Sequence, residues 1–254
     1  MKLFYRELGE GEPLIILHGV FGSADNWLTV SKELAANFKL YLLDQRNHGQ
    51  SPKSDEFNYS VMAEDLKEFI ADHSIKNPTI IGHSMGGKVV MKFASLYPDL
   101  LKKLVVVDIS PRYYHPHHQS ILKGLLSLNL KELKTRQEAD EQLAAYIPEL
   151  GVRQFLLKSL YRNQDNEFAW RINLPVINSK IENIGEAQDE NIRISLPALF
   201  IKGSESDYIE QKDEELIYKI FTNVVIKTVQ GSGHWVQAEK PKEFLEALKP
   251  FLLN

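Results

Sequence analysis

The sequence predicts an α/β fold, in which a mostly parallel central sheet carries helices on both faces and is interrupted by an inserted helical cap. Short runs that are apolar throughout recur along the chain, and such runs are typical of parallel strands covered by helices on both faces. Between these runs, apolar residues are spaced by three and four, which favours amphipathic helices. One stretch of about 85 residues, between Ser110 and Leu196, lacks such runs.

Six apolar runs are predicted to be strands. They are LIILHG at 14–19, KLYLLD at 39–44, PTIIGHS at 78–84, KLVVVDIS at 103–110, PALFIKG at 197–203 and VVIKTV at 224–229. The helices predicted among them are WLTVSKELAANF at 27–38, VMAEDLKEFIADH at 61–73, KVVMKFASLYP at 88–98 and DEELIYKIF at 213–221. Strands and helices alternating in this order indicate a parallel sheet built from βαβ units.

The interruption is predicted to be a cap made of helices, without strands. The predicted boundaries are residues 1–111 and 196–254 for the sheet domain and residues 112–195 for the cap. In QSILKGLLSL, a helix would place on one face Ile121, Leu122, Leu125 and Leu126. Candidates for lining an acyl pocket, or for packing within the cap, are Leu122, Leu125, Phe155, Leu156 and Trp170.

The composition is that of an ordinary globular protein and argues against several functional classes. Hydrophobic residues make up 43% of the chain and charged residues 25%, unlike disordered or fibrous proteins. The net charge of -4 is spread without a basic stripe, so we expect neither nucleic acid nor a membrane as partner. Since the sequence has no cysteine, no apolar leader and no run of membrane length, we expect a cytoplasmic protein without disulfides.

The candidate nucleophile is Ser84, at the centre of the pentapeptide GHSMG between a predicted strand and a predicted helix. In a G-x-S-x-G sequence at such a junction, a sharp turn lifts the serine hydroxyl above the sheet, and the glycines remove side chains that would clash. The alternative is a turn serine beside packing glycines. The N–H of Met85 is one candidate donor for an oxyanion, and the second is the N–H of Val20, with Phe21 next to it.

The candidate base is His234, in the glycine-flanked loop QGSGHWVQAEKP after the last predicted strand. In this type of fold the order along the chain is serine, acid, histidine. A surface histidine is the alternative. His18, which follows a buried strand, is predicted to shape its loop instead.

Two turns offer the acid. Asp108 closes the apolar run KLVVVD at the carboxyl edge of the sheet, where functional groups gather. The turn after PALFIKG has Ser206 at the position where an acid is expected, with Asp207 one place later. We favour Asp108, whose alternative role would be to anchor a loop, and keep Asp207 as the second candidate.

Neither a metal nor an organic cofactor is predicted. The cluster of His115, His117 and His118 is interrupted by a proline and has no evident fourth ligand, so we interpret it as a polar entrance to the cap. In DQRNHGQS, Asp44 and Arg46 are predicted to pair and to fix the turn.

Six segments together resemble the α/β-hydrolase superfamily, and within it the small YbfF-type esterases. They are LHGVFGSADNW, LLDQRNHGQSP, IGHSMGGKVVM, VVVDISPRYY, QFLLKSL and GSGHWVQAEKP, which span nearly the full length. The resemblance implies a cytoplasmic esterase or thioesterase, with acyl-CoA thioesters among the compounds that the YbfF-type branch accepts or binds. It also implies that the acid comes from the Asp-Ile-x-Pro motif at Asp108 and that Ser206 is an auxiliary hydroxyl near the acid and the histidine.

The predicted function is therefore hydrolysis of a small carboxylic ester or thioester through an acyl-enzyme on Ser84. One alternative keeps the same three residues for hydrolysis of a carbon-carbon bond or for a lyase reaction of the menaquinone-pathway type. Another is a ligand-binding receptor with an inactive site. The physiological substrate and the oligomeric state cannot be read from the sequence.

Overall fold

The computed structural model describes all residues, Met1–Asn254. Its nine strands are β1 (Tyr5–Leu8), β2 (Glu12–Leu17), β3 (Phe38–Leu43), β4 (Thr79–His83), β5 (Lys103–Val107), β6 (Leu160–Arg162), β7 (Phe168–Trp170), β8 (Ala198–Gly203) and β9 (Val224–Val229). Seven of them form one sheet in the order β1-β3-β2-β4-β5-β8-β9, and all its pairs are parallel except β1 with β3. The predicted α/β fold with a mostly parallel sheet is confirmed.

Each of the six predicted runs overlaps one strand that has a parallel partner, and the run at 224–229 coincides with β9. No sequence pattern predicted β1, an antiparallel edge strand in which Tyr5 lies opposite Leu43. None of its four residues, YREL, is fully buried, and they form no continuous apolar run.

Helices cover both faces of the sheet. They are α1 (Leu28–Leu34), α2 (Tyr59–Asp72), α3 (Met85–Leu96), α4 (Gln119–Ser127), α5 (Arg136–Leu143), α6 (Leu150–Leu157), α7 (Leu174–Ser179), α8 (Gln211–Ile220), α9 (Val236–Glu239) and α10 (Pro241–Leu253). Since side chains alternate across a strand, Leu14 and Ile16 of β2 pack with α1 and α10, whereas Ile15 and Leu17 pack with α2 and α3. No helix has the length and apolar character needed to cross a membrane.

Between β5 and β8 the chain forms α4 to α7 and a small hairpin. The hairpin pairs β6 with β7, Leu160 lying opposite Trp170, so the prediction that this stretch lacks strands is wrong. Its strands have three residues each, too few to produce a recognisable alternation. In α4, Leu122 and Leu125 are buried but Leu126 is 49% exposed, so Leu126 does not belong to the buried face.

One buried lysine joins both ends of this helical stretch to the sheet domain. Lys88 of α3 is fully buried, and its Nζ donates hydrogen bonds to the carbonyl oxygens of Pro111, Arg112 and Glu186. The first two acceptors lie where the chain leaves the sheet, and the third lies shortly before it returns. On this basis we propose to keep the predicted cap boundaries at 112 and 195.

Candidate active site

Ser84 lies at the turn from β4 into α3, where it precedes the first helical residue, Met85. Its φ of 52° and ψ of -117° are strained for a residue with a side chain. A Cβ on Gly82 would lie 2.2 Å from the carbonyl oxygen of Gly86, and a Cβ on Gly86 would lie 2.6 Å from that of Leu17. The two glycines of the motif therefore allow the close backbone approach that this turn requires.

His234 lies in the loop between β9 and α9 and borders a cavity. Nδ1 lies 2.8 Å from Oδ2 of Asp108, and the side chain is only 20% exposed. The ring of Tyr208 stacks on the imidazole, with centroids 3.9 Å apart and an interplanar angle of 18°. Nε2 of His83 donates to the carbonyl oxygen of His234 at 2.8 Å, which fixes the backbone of this loop.

Asp108 follows β5 with a φ of 51°, and its side chain is fully buried. Oδ1 accepts a hydrogen bond from the N–H of Gly203 at 3.0 Å. Oδ2 accepts a hydrogen bond from the hydroxyl of Ser206 and also contacts His234. Both carboxylate oxygens therefore have hydrogen-bond partners, and these partners fix the orientation of the side chain.

Asp207, the other candidate acid, is exposed. Its carbonyl oxygen accepts a hydrogen bond from Arg112 at 3.3 Å, and its carboxylate makes no hydrogen bond to His234. The structure thus places Asp108, but not Asp207, against the histidine, and Ser206 contacts Asp108.

Burial changes the proton affinity of both partners in the Asp108–His234 contact. It raises the pKa of Asp108 to about 6, because the loss of hydration outweighs the bonds from Ser206 and Gly203. It lowers the pKa of the His234 imidazole below its ordinary value, since the charged ring would lose hydration as well. At neutral pH the pair consists of a carboxylate and a neutral imidazole.

Two backbone N–H groups beside Ser84 have no acceptor within the protein, those of Val20 and Met85. The neighbouring N–H of Phe21 donates instead to Nε2 of His48 at 3.2 Å. Of the two adjacent donors weighed from the sequence, only the N–H of Val20 is therefore free to bind an oxyanion.

Two buried histidines hold the loop that carries Val20. Nε2 of His18 accepts from the N–H of Gln45 at 3.0 Å, so this histidine shapes the loop. His48, which the sequence analysis missed, has its Nδ1 2.9 Å from the carbonyl oxygen of Arg46. Burial lowers the pKa of His18 to about 4 and that of His48 to about 3, so both are neutral.

The predicted pairing of Asp44 with Arg46 is wrong. Asp44 accepts the N–H groups of Ala24 at 2.7 Å and Gln50 at 2.8 Å. Arg46 forms a buried ion pair with Asp65 of α2, with 2.6 Å between Nε and Oδ2. Both residues have structural partners, but not each other.

Ser84 and His234 border one cavity of about 200 Å³. No hydrogen bond joins the Ser84 hydroxyl to the imidazole in this structure. Of the apolar residues proposed as lining, Phe155 and Leu156 border the cavity, whereas Leu122, Leu125 and Trp170 pack in the core.

The three histidines before α4 lie near the nucleophile. His117 and His118 border the larger cavity together with Ser84, and all three also border a smaller cavity beside it, which His115 lines as well. His117 also shares a hydrogen bond of 2.7 Å with the hydroxyl of Tyr208. The structure contains no group of three or more histidine and acidic side chains that could hold a metal ion.

Comparison with known proteins identifies the family. A family model described as the alpha/beta hydrolase fold matches residues 12–241. Esterase YbfF of Escherichia coli is 36% identical over 241 residues, which cover 94% of this chain and 92% of that protein. The sn-1-specific diacylglycerol lipase ABHD11 of Danio rerio is 36% identical over 252 residues, covering 96% and 79%.

A solved structure described as a marine microorganism esterase is 45% identical, with a TM-score of 0.96, and the match covers 98% of this chain and 99% of that one. The resemblance stated from the sequence motifs is confirmed. The chain therefore belongs to the alpha/beta hydrolase fold family and is a hydrolase whose relatives are named esterases and lipases.

Proposed function

We propose that this protein is a serine carboxylic-ester hydrolase that works through an acyl-enzyme on Ser84. The observation that carries the proposal is the 2.8 Å contact between Asp108 and His234, at a cavity that Ser84 also borders. A buried carboxylate, an imidazole and a hydroxyl on a strained strand-to-helix turn are the parts that acyl transfer requires. The names of the relatives support the ester as substrate class.

The first step is attack of Ser84 on the ester carbonyl. Because Nδ1 of His234 is held by Asp108, Nε2 is the nitrogen that takes the proton from the serine hydroxyl. The N–H groups of Val20 and Met85 bind the negative oxygen that develops. Nucleophile-to-base hydrogen bonds are often long or poorly aligned before substrate binds and tighten in the substrate complex.

The second step frees the enzyme. His234 gives its proton to the departing alcohol, and the acyl group remains on Ser84. A water molecule then loses a proton to His234 and attacks the acyl carbonyl, which releases the carboxylic acid and restores the serine. Asp108 stabilises the charged imidazole at both stages.

Ser206 is assigned the role of an auxiliary hydroxyl that holds Asp108 in place. Its hydrogen bond to Oδ2 offsets part of the cost of a buried carboxylate. Asp207 stays the alternative acid, and its exposed carboxylate argues against it.

Thioesters, acyl-CoA among them, extend the proposal, because the same steps release a thiol instead of an alcohol. This extension rests on the YbfF-type resemblance. A cytoplasmic location stays a prediction from the sequence.

A fluorophosphonate probe tests the proposal. It should label the wild-type protein and the Ser95→Ala control, which alters a serine at the other end of the same helix, but not Ser84→Ala. Hydrolysis of p-nitrophenyl acetate should follow the same pattern. An unlabelled wild-type protein would favour the receptor, and labelling without turnover of any ester or thioester would favour carbon-carbon bond chemistry.

A further inference from the structure

We propose that the site hydrolyses esters that join a short acyl group, of acetyl to propionyl size, to a much larger leaving group. This inference rests on the proposed function and adds the substrate class. It starts from the position of Ser84 between two cavities of very unequal volume, about 20 Å³ and about 200 Å³.

The two cavities share a wall and differ in their other lining. Val20, Ser84, His117, His118 and Tyr208 border both, and Met85 borders the smaller one alone. The smaller cavity ends on three isoleucine side chains, Ile109, Ile181 and Ile184. The larger cavity continues along Ile121, Val152, Phe155 and Trp235, and it alone is bordered by His234.

The position of His234 decides which part of the ester enters which cavity. The imidazole must give a proton to the leaving oxygen, so that oxygen must lie on the histidine side of the carbonyl carbon. The leaving group therefore extends into the larger cavity. With the oxyanion directed at the N–H groups of Val20 and Met85, the acyl chain is left with the smaller cavity.

A cavity of about 20 Å³ holds little more than one water-sized group. Its floor is also held firmly: the hydroxyl of Tyr59 donates to the carbonyl oxygen of Ile184 at 2.6 Å, and the N–H of Tyr114 donates to that of Gly185 at 2.8 Å. A longer acyl chain would have to displace packed isoleucines, and overpacking of such a core is unfavourable.

The leaving-group side has far more room. Beyond the larger cavity lies an outer cleft of about 510 Å³ that shares Val152, Phe155 and Trp235 with it. The rings of Phe155, on α6, and Trp235 line both spaces, with their centroids 5.2 Å apart. A large leaving group can thus run from Ser84 along the cap towards the surface.

The wild-type protein provides the first test, with two ester series that vary one part at a time. Among p-nitrophenyl esters, kcat/KM should fall by about tenfold or more from acetate to hexanoate, the scale expected when methylenes exceed a pocket. Between phenyl and 2-naphthyl acetate, whose leaving groups have similar acidity, kcat/KM should not fall. A protein that prefers hexanoate to acetate would overturn the inference while leaving the serine hydrolase proposal intact.

Two variants test the assignment of the sides. Ile181→Ala should raise the hexanoate-to-acetate ratio of kcat/KM by about tenfold and leave the naphthyl-to-phenyl ratio unchanged. Phe155→Ala should change the naphthyl-to-phenyl ratio and leave the acyl ratio unchanged. The reverse pattern would show that the acyl chain enters the larger cavity.

Ile181→Val, a smaller truncation, should shift the acyl ratio in the same direction and keeps the test valid if the alanine variant does not fold. A wild-type protein that labels at Ser84 but shows no dependence on acyl length also contradicts the inference. If no ester is hydrolysed at all, the proposed function fails first, and the inference fails with it.

Discussion

Replacing Asp108 by asparagine keeps the size of the side chain and removes its charge. In the wild-type protein, Oδ1 accepts the N–H of Gly203, and Oδ2 faces His234 and Ser206. The oxygen of an asparagine would take the Oδ1 position, because only an oxygen can accept that N–H. The amide NH₂ would then point at Nδ1 of His234.

An NH₂ group donates, so Nδ1 would have to accept and the imidazole proton would move to Nε2. Nε2 is the nitrogen that must take the proton of Ser84, and in this tautomer it cannot. A wrong tautomer of this kind typically costs on the order of 10⁴ in turnover. At about 1.4 kcal/mol for each factor of ten, the barrier would rise by about 5.5 kcal/mol.

The assay is steady-state hydrolysis of p-nitrophenyl acetate at about pH 8, with Asp207→Asn as the matched control. Asp207 is exposed and has no bond to His234, so its variant should retain nearly full activity. An Asp108→Asn variant that keeps a tenth of wild-type activity, or an Asp207→Asn variant that loses most of it, would refute the assignment of the acid.

Three further predictions follow. Because burial raises the pKa of Asp108 to about 6, kcat/KM should rise with pH through about 6 and then level off; a flat profile there contradicts this. In His48→Ala the N–H of Phe21 loses its acceptor, so the loop that carries Val20 should shift away from the oxyanion. We expect kcat to fall about tenfold with little change in KM. A rise in KM by the same factor would contradict this. Since burial lowers the pKa of Lys88 to about 7, the unfolded chain binds one more proton above that pH. The free energy of unfolding of the wild type, relative to that of Lys88→Met, should therefore rise with pH by at most about 1.4 kcal/mol per pH unit. Urea denaturation at several pH values measures this difference, and a difference that does not change with pH would contradict the prediction.

The parallel strands could be predicted because their environment leaves a direct signal. Every residue of β4 and β5 is buried, and both strands have uninterrupted apolar residues at 80–81 and 104–107. The edge strand β1 and the hairpin of β6 and β7 lack this signal, because they are short and partly exposed.

Two of the three candidate site residues stood out because of the residues around them in the sequence. Ser84 sits between glycines that a strained turn needs, and Asp108 places a charge at the end of an apolar run. His48 gave no such signal, because its partners are backbone groups that any residue type offers. The partner of Arg46 is Asp65, 19 positions away, and no local pattern points to it.

The sizes of the two cavities could not be predicted either. They depend on how the segments 109–118 and 181–185 and the helix α6 pack around Ser84, and a sequence pattern does not specify such distances. The choice between Phe155 and Trp170 as lining is an example: both are large and apolar, and only Phe155 borders the cavity.

The central claim is that the Ser84 hydroxyl becomes covalently acylated during turnover. Rapid-quench mass spectrometry after mixing with p-nitrophenyl acetate measures this directly. We predict a gain of one acetyl group on the peptide that contains Ser84, which forms within the first turnover and is absent in Ser84→Ala. Acetylation of another residue, or full turnover by the Ser84→Ala protein, would contradict the account.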